Sequence, residues 1–254
     1  MVSPLDDALA LLAEQPQVLI CCDYDGTLAP IVANPADAVP FPDVVDVLYD
    51  LAVMPGLRVA LVSGRAMRDL RSLSGVDERV TLVGSHGAEF VEGQFLGFGP
   101  VQQRLLDELA GRAESIVGDA PGAMVEYKPT SFAVHVRNAD PADADRVMAQ
   151  VAEEILSVDG IFITHGKKVV EVAVIHADKG EAISELRDGA AVLFVGDDVT
   201  DERGFAALRA RDVGIKVGLG DSAAQYRVPD PAAVKALLEQ FARLRGSLAP
   251  EARS

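Results

Sequence analysis

Several short runs in this chain are almost wholly apolar instead of alternating between apolar and polar residues: "VLICC", "LRVALV", "VTLV", "AAVLFVG" and "VGIKV". Each is too short for a membrane span and rich in Val, Ile and Leu. Segments with a helical period separate them, among them "PDVVDVLYDLA", "DERGFAALRA" and "DPAAVKALLEQFARLR". A strand that is apolar on both sides must be covered on both faces, and such strands alternating with helices indicate a parallel sheet with helices above and below. The expected fold is therefore α/β, with Pro42 and Asp43 opening the first of these helices.

The middle of the chain has another pattern. From about Pro100 to Ala173 the order is helix, strand, strand, then helix, strand, strand: "VQQRLLDELAGRAESIV", "AMVEYK", "SFAVHVR", then "DADRVMAQVAEEILSV", "GIFITH", "KVVEVAV". One αββ unit used twice gives an antiparallel sheet with helices on one face. This predicts a second domain, residues 102–174, inserted into a core formed by 1–101 and 175–254.

Composition narrows the partners. The formal net charge of −16 argues against nucleic acid and anionic membranes, and any anionic substrate then needs a local cluster of cations. No apolar stretch reaches the ~20 residues of a membrane helix. The N-terminal segment carries acid and no basic region, so it reads as an amphipathic helix and not as a signal peptide. Cys21 and Cys22 are adjacent on an apolar run and read as small hydrophobes, which favours a reducing, cytoplasmic setting. A monomer is expected.

The chemistry is concentrated where the apolar runs end. Ligands of parallel sheets bind beyond the carboxyl ends of the strands, and three runs end in "CDYDG", "VSGR" and "VGDDVTDE". Chain order thus directs Asp23, Asp25, Ser63, Asp197, Asp198 and Asp201 to one edge. Carboxylates gathered there need a cation, and an all-oxygen set without clustered His or Cys selects Mg²⁺ over zinc. The histidines, His86, His135, His165 and His176, lack zinc-site spacing and read as structural. Lys179 opens a helix just after the insert and offers a point charge to a phosphate.

This combination resembles the haloacid dehalogenase (HAD) superfamily of phosphohydrolases, through "DYDGT", Ser63, Lys179 and "GDDVTD" in that order. Further stretches, "GSHGAEF", "VEYKPTSFAVHVR", "GKKVVEV", "DKG" and "GIKVGLGDSAAQYRV", resemble the trehalose-6-phosphate phosphatase family over roughly residues 18 to 240. The resemblance implies an HAD-type doubly wound core with an αββαββ cap of type C2B. It also implies Mg²⁺-dependent hydrolysis of trehalose 6-phosphate through an aspartyl-phosphate. Asp23 is then the nucleophile, and Asp25 the acid that protonates the leaving sugar and the base that activates water. Asp23, the Asp25 carbonyl and Asp197 hold the metal. Ser63, Gly64 and Lys179 bind the phosphoryl group, while Asp198 and Asp201 stand behind the metal ligands. Arg65 and His86 are placed at the rim.

The cap residues that carry over are Glu126, Lys128, Arg137, Lys167 and Glu171, a mixture of acids and bases suited to a polyhydroxy sugar. One departure bears on the substrate. After Glu171 the family continues with Arg-Pro, whereas this chain reads "VAVIHADKG". A phosphatase of another sugar phosphate, such as sucrose phosphate or a glycosyl-glycerate phosphate, is the alternative. A signalling receiver domain also combines acids, a phospho-accepting Asp and a Lys, but its acidic pair precedes the acceptor and it has no such insert. A catalytically dead sugar-phosphate sensor finds no support, because Asp23 and Asp25 are both intact.

Overall fold

In a computed structural model, which describes residues 3–248, the chain divides into two compact units. One comprises the residues up to Gly93 together with those from Asp178 onward; the other is Gln94–Ala177. In chain order the first unit begins with α1 (Pro4–Ala13), β1 (Val18–Cys22), α2 (Val44–Ala52), β2 (Leu57–Val62), α3 (Met67–Ser74), β3 (Val80–Val83) and the short β4 (Glu89–Val91). The second unit holds the short β5 (Gln94–Phe95), α4 (Pro100–Val117), β6 (Met124–Tyr127), β7 (Ser131–His135), α5 (Pro141–Glu154), β8 (Phe162–Gly166) and β9 (Val169–Ala173). The chain then returns to the first unit with α6 (Lys179–Leu186), β10 (Ala191–Gly196), α7 (Asp201–Ala206), β11 (Val213–Val217), β12 (Tyr226–Val228) and α8 (Pro231–Leu248).

The first unit is built on a six-stranded sheet in the order β12-β11-β10-β1-β2-β3, every neighbour parallel. Successive side chains of a strand face opposite ways, and β1 divides accordingly. Ile20 and Cys22 join the core under α1, α2 and α8, with Leu12, Leu48 and Phe241. Leu19 and Cys21 join the core on the other face, with Ile183 of α6 and Phe205 of α7. This two-sided burial is the reason these runs are apolar throughout. The register sets Cys22 opposite both Leu61 and Val195. The segments that begin at Asp23, Ser63 and Asp197 therefore leave the sheet at the same edge.

Two helix starts are fixed by side-chain caps. Ser3 closes a capping box with Asp6 at the head of α1. Asp178 caps α6, its carboxylate accepting from the amides of Gly180 at 2.7 Å and Glu181 at 3.2 Å, which fixes Lys179 in the first helical turn. Asp43 does not act in this way: it sits at φ 62° with no side-chain capping bond, and α2 begins one residue later.

The second unit has a four-stranded antiparallel sheet in the order β6-β7-β9-β8. Phe132, Val134, Val170 and Val172 are buried on one face with residues of α4 and α5, giving this unit its own hydrophobic core. Its first helix begins at Pro100, so a border at 101/102 cuts the helix. The compact unit instead runs from Gln94 to Ala177. A turn-rich stretch ahead of a helix belongs to whichever core its residues pack on, and local pattern does not say which.

Candidate active site

At the carboxyl edge of the first sheet Asp23 is 4% exposed and Lys179 2%. Lys179 Nζ donates to Asp23 Oδ1 at 2.7 Å and to Asp201 Oδ1 at 2.7 Å. The other oxygen of Asp201 accepts from the amides of Asp197 and Asp198, both at 2.9 Å. Asp201 thus uses both oxygens as an anchor, tying the lysine to the loop after β10. Burial pushes the Asp23 carboxyl well above the usual range; Lys179 pulls it back, while Asp201 and Asp197 push it further up. Burial also raises Asp197, to about 6, assisted by Asp201 and Asp198. For Lys179 burial acts downward, but Asp23 and Asp201 outweigh it and hold the ammonium above its ordinary value.

Asp23, Asp197 and Asp201 each bring a carboxylate oxygen within 4.8 Å of the others. Fully ionised, the three carboxylates would exceed the one ammonium by two negative charges. Asp197 Oδ1 is buried and has no hydrogen-bond partner, a state that costs about 1–3 kcal/mol unless something satisfies it. A Cβ on Gly26, whose φ is +79°, would lie 2.0 Å from Asp197 Oδ2. Only glycine leaves that carboxylate its place. The oxygen-only donors, the excess charge and the orphaned oxygen fit a hard divalent cation such as Mg²⁺. Since Asp201 is fully engaged, the side chains left to hold it are Asp23 and Asp197.

Asp25 lies outside that cluster. Arg65 grips it through two parallel hydrogen bonds, Nε to Oδ2 and Nη2 to Oδ1, each 2.6 Å. The two aspartates of "DYDG" therefore each have a cation of their own, Lys179 for one and Arg65 for the other. Between them Tyr24 is fully buried and donates its hydroxyl to the Ala38 carbonyl at 2.9 Å.

Ser63 is fully buried, its Oγ accepting from the Arg65 amide at 3.2 Å. Gly64 rests against the His86 imidazole, so that a Cβ there would lie 2.3 Å from the ring. Ser85 and His86 stand at φ 51° and 57°, a left-handed pair uncommon for residues other than glycine. His86 is thus the backing of the "SG" turn. Nearby, Glu89 is a buried acid that accepts from the Met67 amide at 2.7 Å and the Gly93 amide at 2.8 Å. It thereby caps α3, whose own N-cap residue, Ala66, has no side-chain acceptor.

Asp198 is exposed and its carboxylate turns back to the Val199 amide at 2.7 Å. Of the two acids expected behind the metal ligands, only Asp201 reaches the cluster. Lys216 was not expected at all. It is buried, donates to the carbonyls of Asp197 and Asp198, and lies 3.6 Å from Glu202. A lone lysine inside the apolar run "GIKVG" was the available signal, because a buried ammonium must be paired.

On the open face of the second unit, pairing sets Glu126, Ala133, Glu171 and Thr164 in one row across the four strands. Lys128 donates to Glu171 Oε2 at 2.6 Å, and Ser131 to Glu171 Oε1 at 2.7 Å. His135, read from the sequence as structural, lies on this face and bonds to Glu126 at 2.8 Å. Arg137 stands past the end of β7 and Lys167 in the β8–β9 turn, both exposed.

A buried aspartate paired with a lysine from a following helix, carboxylates converging at the end of a parallel sheet, and a separate antiparallel cap sheet are the features of the HAD class. Comparison with known proteins narrows this. The signature of the trehalose-phosphatase family matches residues 21–232, and the chain belongs to that family. It is 36% identical to the bifunctional trehalose-6-phosphate synthase/phosphatase of Thermoproteus tenax, over 88% of this chain but only 32% of that protein. The chain thus spans about a third of that relative. It is 33% identical to the trehalose-6-phosphate phosphatase of Escherichia coli, over 82% of this chain and 81% of that one. Among solved structures, a trehalose-6-phosphate phosphatase related protein superposes with a TM-score of 0.73 at 27% identity, covering 90% of this chain and 99% of the other. The C-terminal domain of Candida albicans trehalose-6-phosphate phosphatase shares the fold, with a TM-score of 0.76 at 23% identity and coverage of 95% and 97%. No helix among the described residues is long and apolar enough to cross a membrane.

Proposed function

We propose that this chain is a phosphatase that hydrolyses trehalose 6-phosphate to trehalose and inorganic phosphate, with Mg²⁺ and through an aspartyl-phosphate. The observation that carries the reading is the buried Asp23, fixed by Lys179 at 2.7 Å, with a second carboxylate two residues on held by a cation of its own. Asp23 attacks phosphorus, the bond from phosphorus to the sugar oxygen breaks, and Asp25 gives that oxygen a proton. A water then attacks the phosphoryl group, Asp25 takes its proton, and the bond to Asp23 breaks, restoring the Asp23 carboxylate and the protonated Asp25 that began the cycle. Ser63, the Gly64 turn and Lys179 bind the phosphoryl oxygens, on which charge develops. Asp23, Asp197 and the Asp25 carbonyl would hold Mg²⁺, which neutralises charge on the transferring group. Glu126, Lys128, Arg137, Lys167 and Glu171 recognise the sugar. With Cys21 and Cys22 both free and buried, the cytoplasm is the proposed location, and the proposed state is a monomer.

Phosphate release from a panel of sugar phosphates, with and without Mg²⁺, tests the substrate and separates trehalose 6-phosphate from sucrose phosphate or glycosyl-glycerate phosphate. Chelator is expected to abolish release and Mg²⁺ to restore it. A ligand that binds only the folded state stabilises it by about 2.7 kcal/mol at a hundred times its Kd, so Mg²⁺ should also raise Tm, and Asp197→Asn should remove that rise. Full activity in chelator, or a Tm indifferent to Mg²⁺, speaks against the metal.

Glu171→Ala should lower kcat/KM on trehalose 6-phosphate about 10- to 100-fold, the loss of a hydrogen bond to a charged group. It should spare p-nitrophenyl phosphate, which has no sugar to hold. Equal losses on both substrates would make Glu171 a support of the second unit's fold, through Lys128 and Ser131.

A further inference from the structure

Arg65 lies where three segments meet. Its backbone follows Ser63 and Gly64, its amide donates to Ser63 Oγ at 3.2 Å, and its carbonyl accepts from the Ser85 amide at 2.7 Å. Its guanidinium occupies both oxygens of Asp25 at 2.6 Å, and Nη2 also donates to the Pro35 carbonyl at 2.8 Å. The same group stands 5.7 Å from the centre of the Tyr24 ring, whose hydroxyl holds Ala38 from below. The Arg65 side chain is 14% exposed, so the contacts are not those of a wandering surface arginine. Segment 34–38 is otherwise exposed up to Ala38 and is tied by two bonds, one from Arg65 and one from Tyr24.

A two-pronged grip of this kind fixes direction as well as distance. With both oxygens engaged, the Asp25 carboxylate is held in one orientation. To meet the leaving oxygen, or later the water, it must use the lone pairs that the fork leaves free or give up one of the two bonds. The Pro35 carbonyl offers the guanidinium a partner while it does so.

We infer that Arg65 is a positioning residue that holds Asp25 aligned between turnovers and couples that alignment to segment 34–38. The inference rests on the reading of Asp25 as proton donor and acceptor. Its geometry can be tested apart from turnover.

The test uses the full chain as Arg65→Met and Arg65→Lys. Without substrate, amide exchange is followed across the protein. The Asp37 amide, bonded to the Asn34 carbonyl at 2.9 Å, should exchange on the order of 10-fold faster in Arg65→Met, while the amides of β2 keep their protection. Unchanged exchange at 34–38 overturns the coupling. Release of p-nitrophenolate is then followed after rapid mixing. That leaving group needs no proton, whereas the later attack of water does. Arg65→Met should show a burst of about one equivalent followed by a steady rate about 10²-fold below the parent, the lower range for a positioned acid or base. Arg65→Lys, which restores charge without the fork, should fall between the two. If the burst and the steady rate slow equally, Arg65 acts on phosphate binding or on Asp23 and the inference is wrong. If the parent releases phosphate from no ester, the phosphatase reading fails, and the exchange result still decides the coupling.

Discussion

Asp23→Asn is expected to bring turnover to background while leaving the protein folded. The amide is nearly isosteric and still accepts a hydrogen bond from Lys179, but it cannot attack phosphorus. Where a nucleophile is lost from a covalent mechanism the fall reaches on the order of 10⁶-fold in kcat. The measurement is phosphate release at saturating substrate, together with a thermal melt. Burial beside Asp201 and Asp197 already disfavours charge on Asp23, so replacing it with a neutral amide should not lower Tm in the cation-free protein. Ordinary hydrolysis by this variant would eliminate the covalent route.

Lys179→Met should be the most destabilising single change at the site. It leaves Asp23 and Asp201 buried without the ammonium they share at 2.7 Å. Breaking a buried ion pair from one side costs about 3–5 kcal/mol, because a charge is left uncompensated. In a chain of this size that is roughly 6–20 °C in Tm. Activity should vanish with it. The double variant Asp23→Asn/Lys179→Met should recover part of the lost stability, having removed one of the stranded charges. If Lys179→Met melted with the parent, some other cation would be balancing the two carboxylates.

The strands of the parallel sheet were readable because two-sided burial leaves a mark that survives in one dimension: Val18–Cys22 and Ala191–Gly196 have no polar position to hide. The edge that carries the candidate site followed from where those runs stop. What one dimension cannot carry is the choice among neighbours. "DDVTDE" offers Asp197, Asp198 and Asp201 at close spacing, and only the start of α7 at Asp201 turns that side chain inward while Asp198 faces solvent. The grip of Arg65 on Asp25 spans forty positions, and nothing local to "SGR" points to its partner. Lys216 and Glu89 were overlooked for a different reason. Each is a charged residue within an apolar stretch, and each could have been questioned on that ground alone. His135 alternates with apolar residues along β7, and that period of two is enough to put it on the open face, where it meets Glu126.

The second unit is one uninterrupted stretch of chain with a core of its own, entered after Gly93 and left after Ala177. Such a stretch behaves as an exchangeable cassette: on the proposed roles of its sugar-facing residues, swapping it whole between relatives should alter which alcohol is accepted and leave the phosphorus chemistry unchanged. The downstream seam is the demanding one. The residue after it, Asp178, caps α6, and the next is Lys179. A graft that ends at Ala177 hands over a helix already nucleated, with its lysine aimed. One that runs two residues further must itself supply both the cap and the lysine, and a donor lacking either at that seam should give a chimera that folds each half and yet hydrolyses nothing.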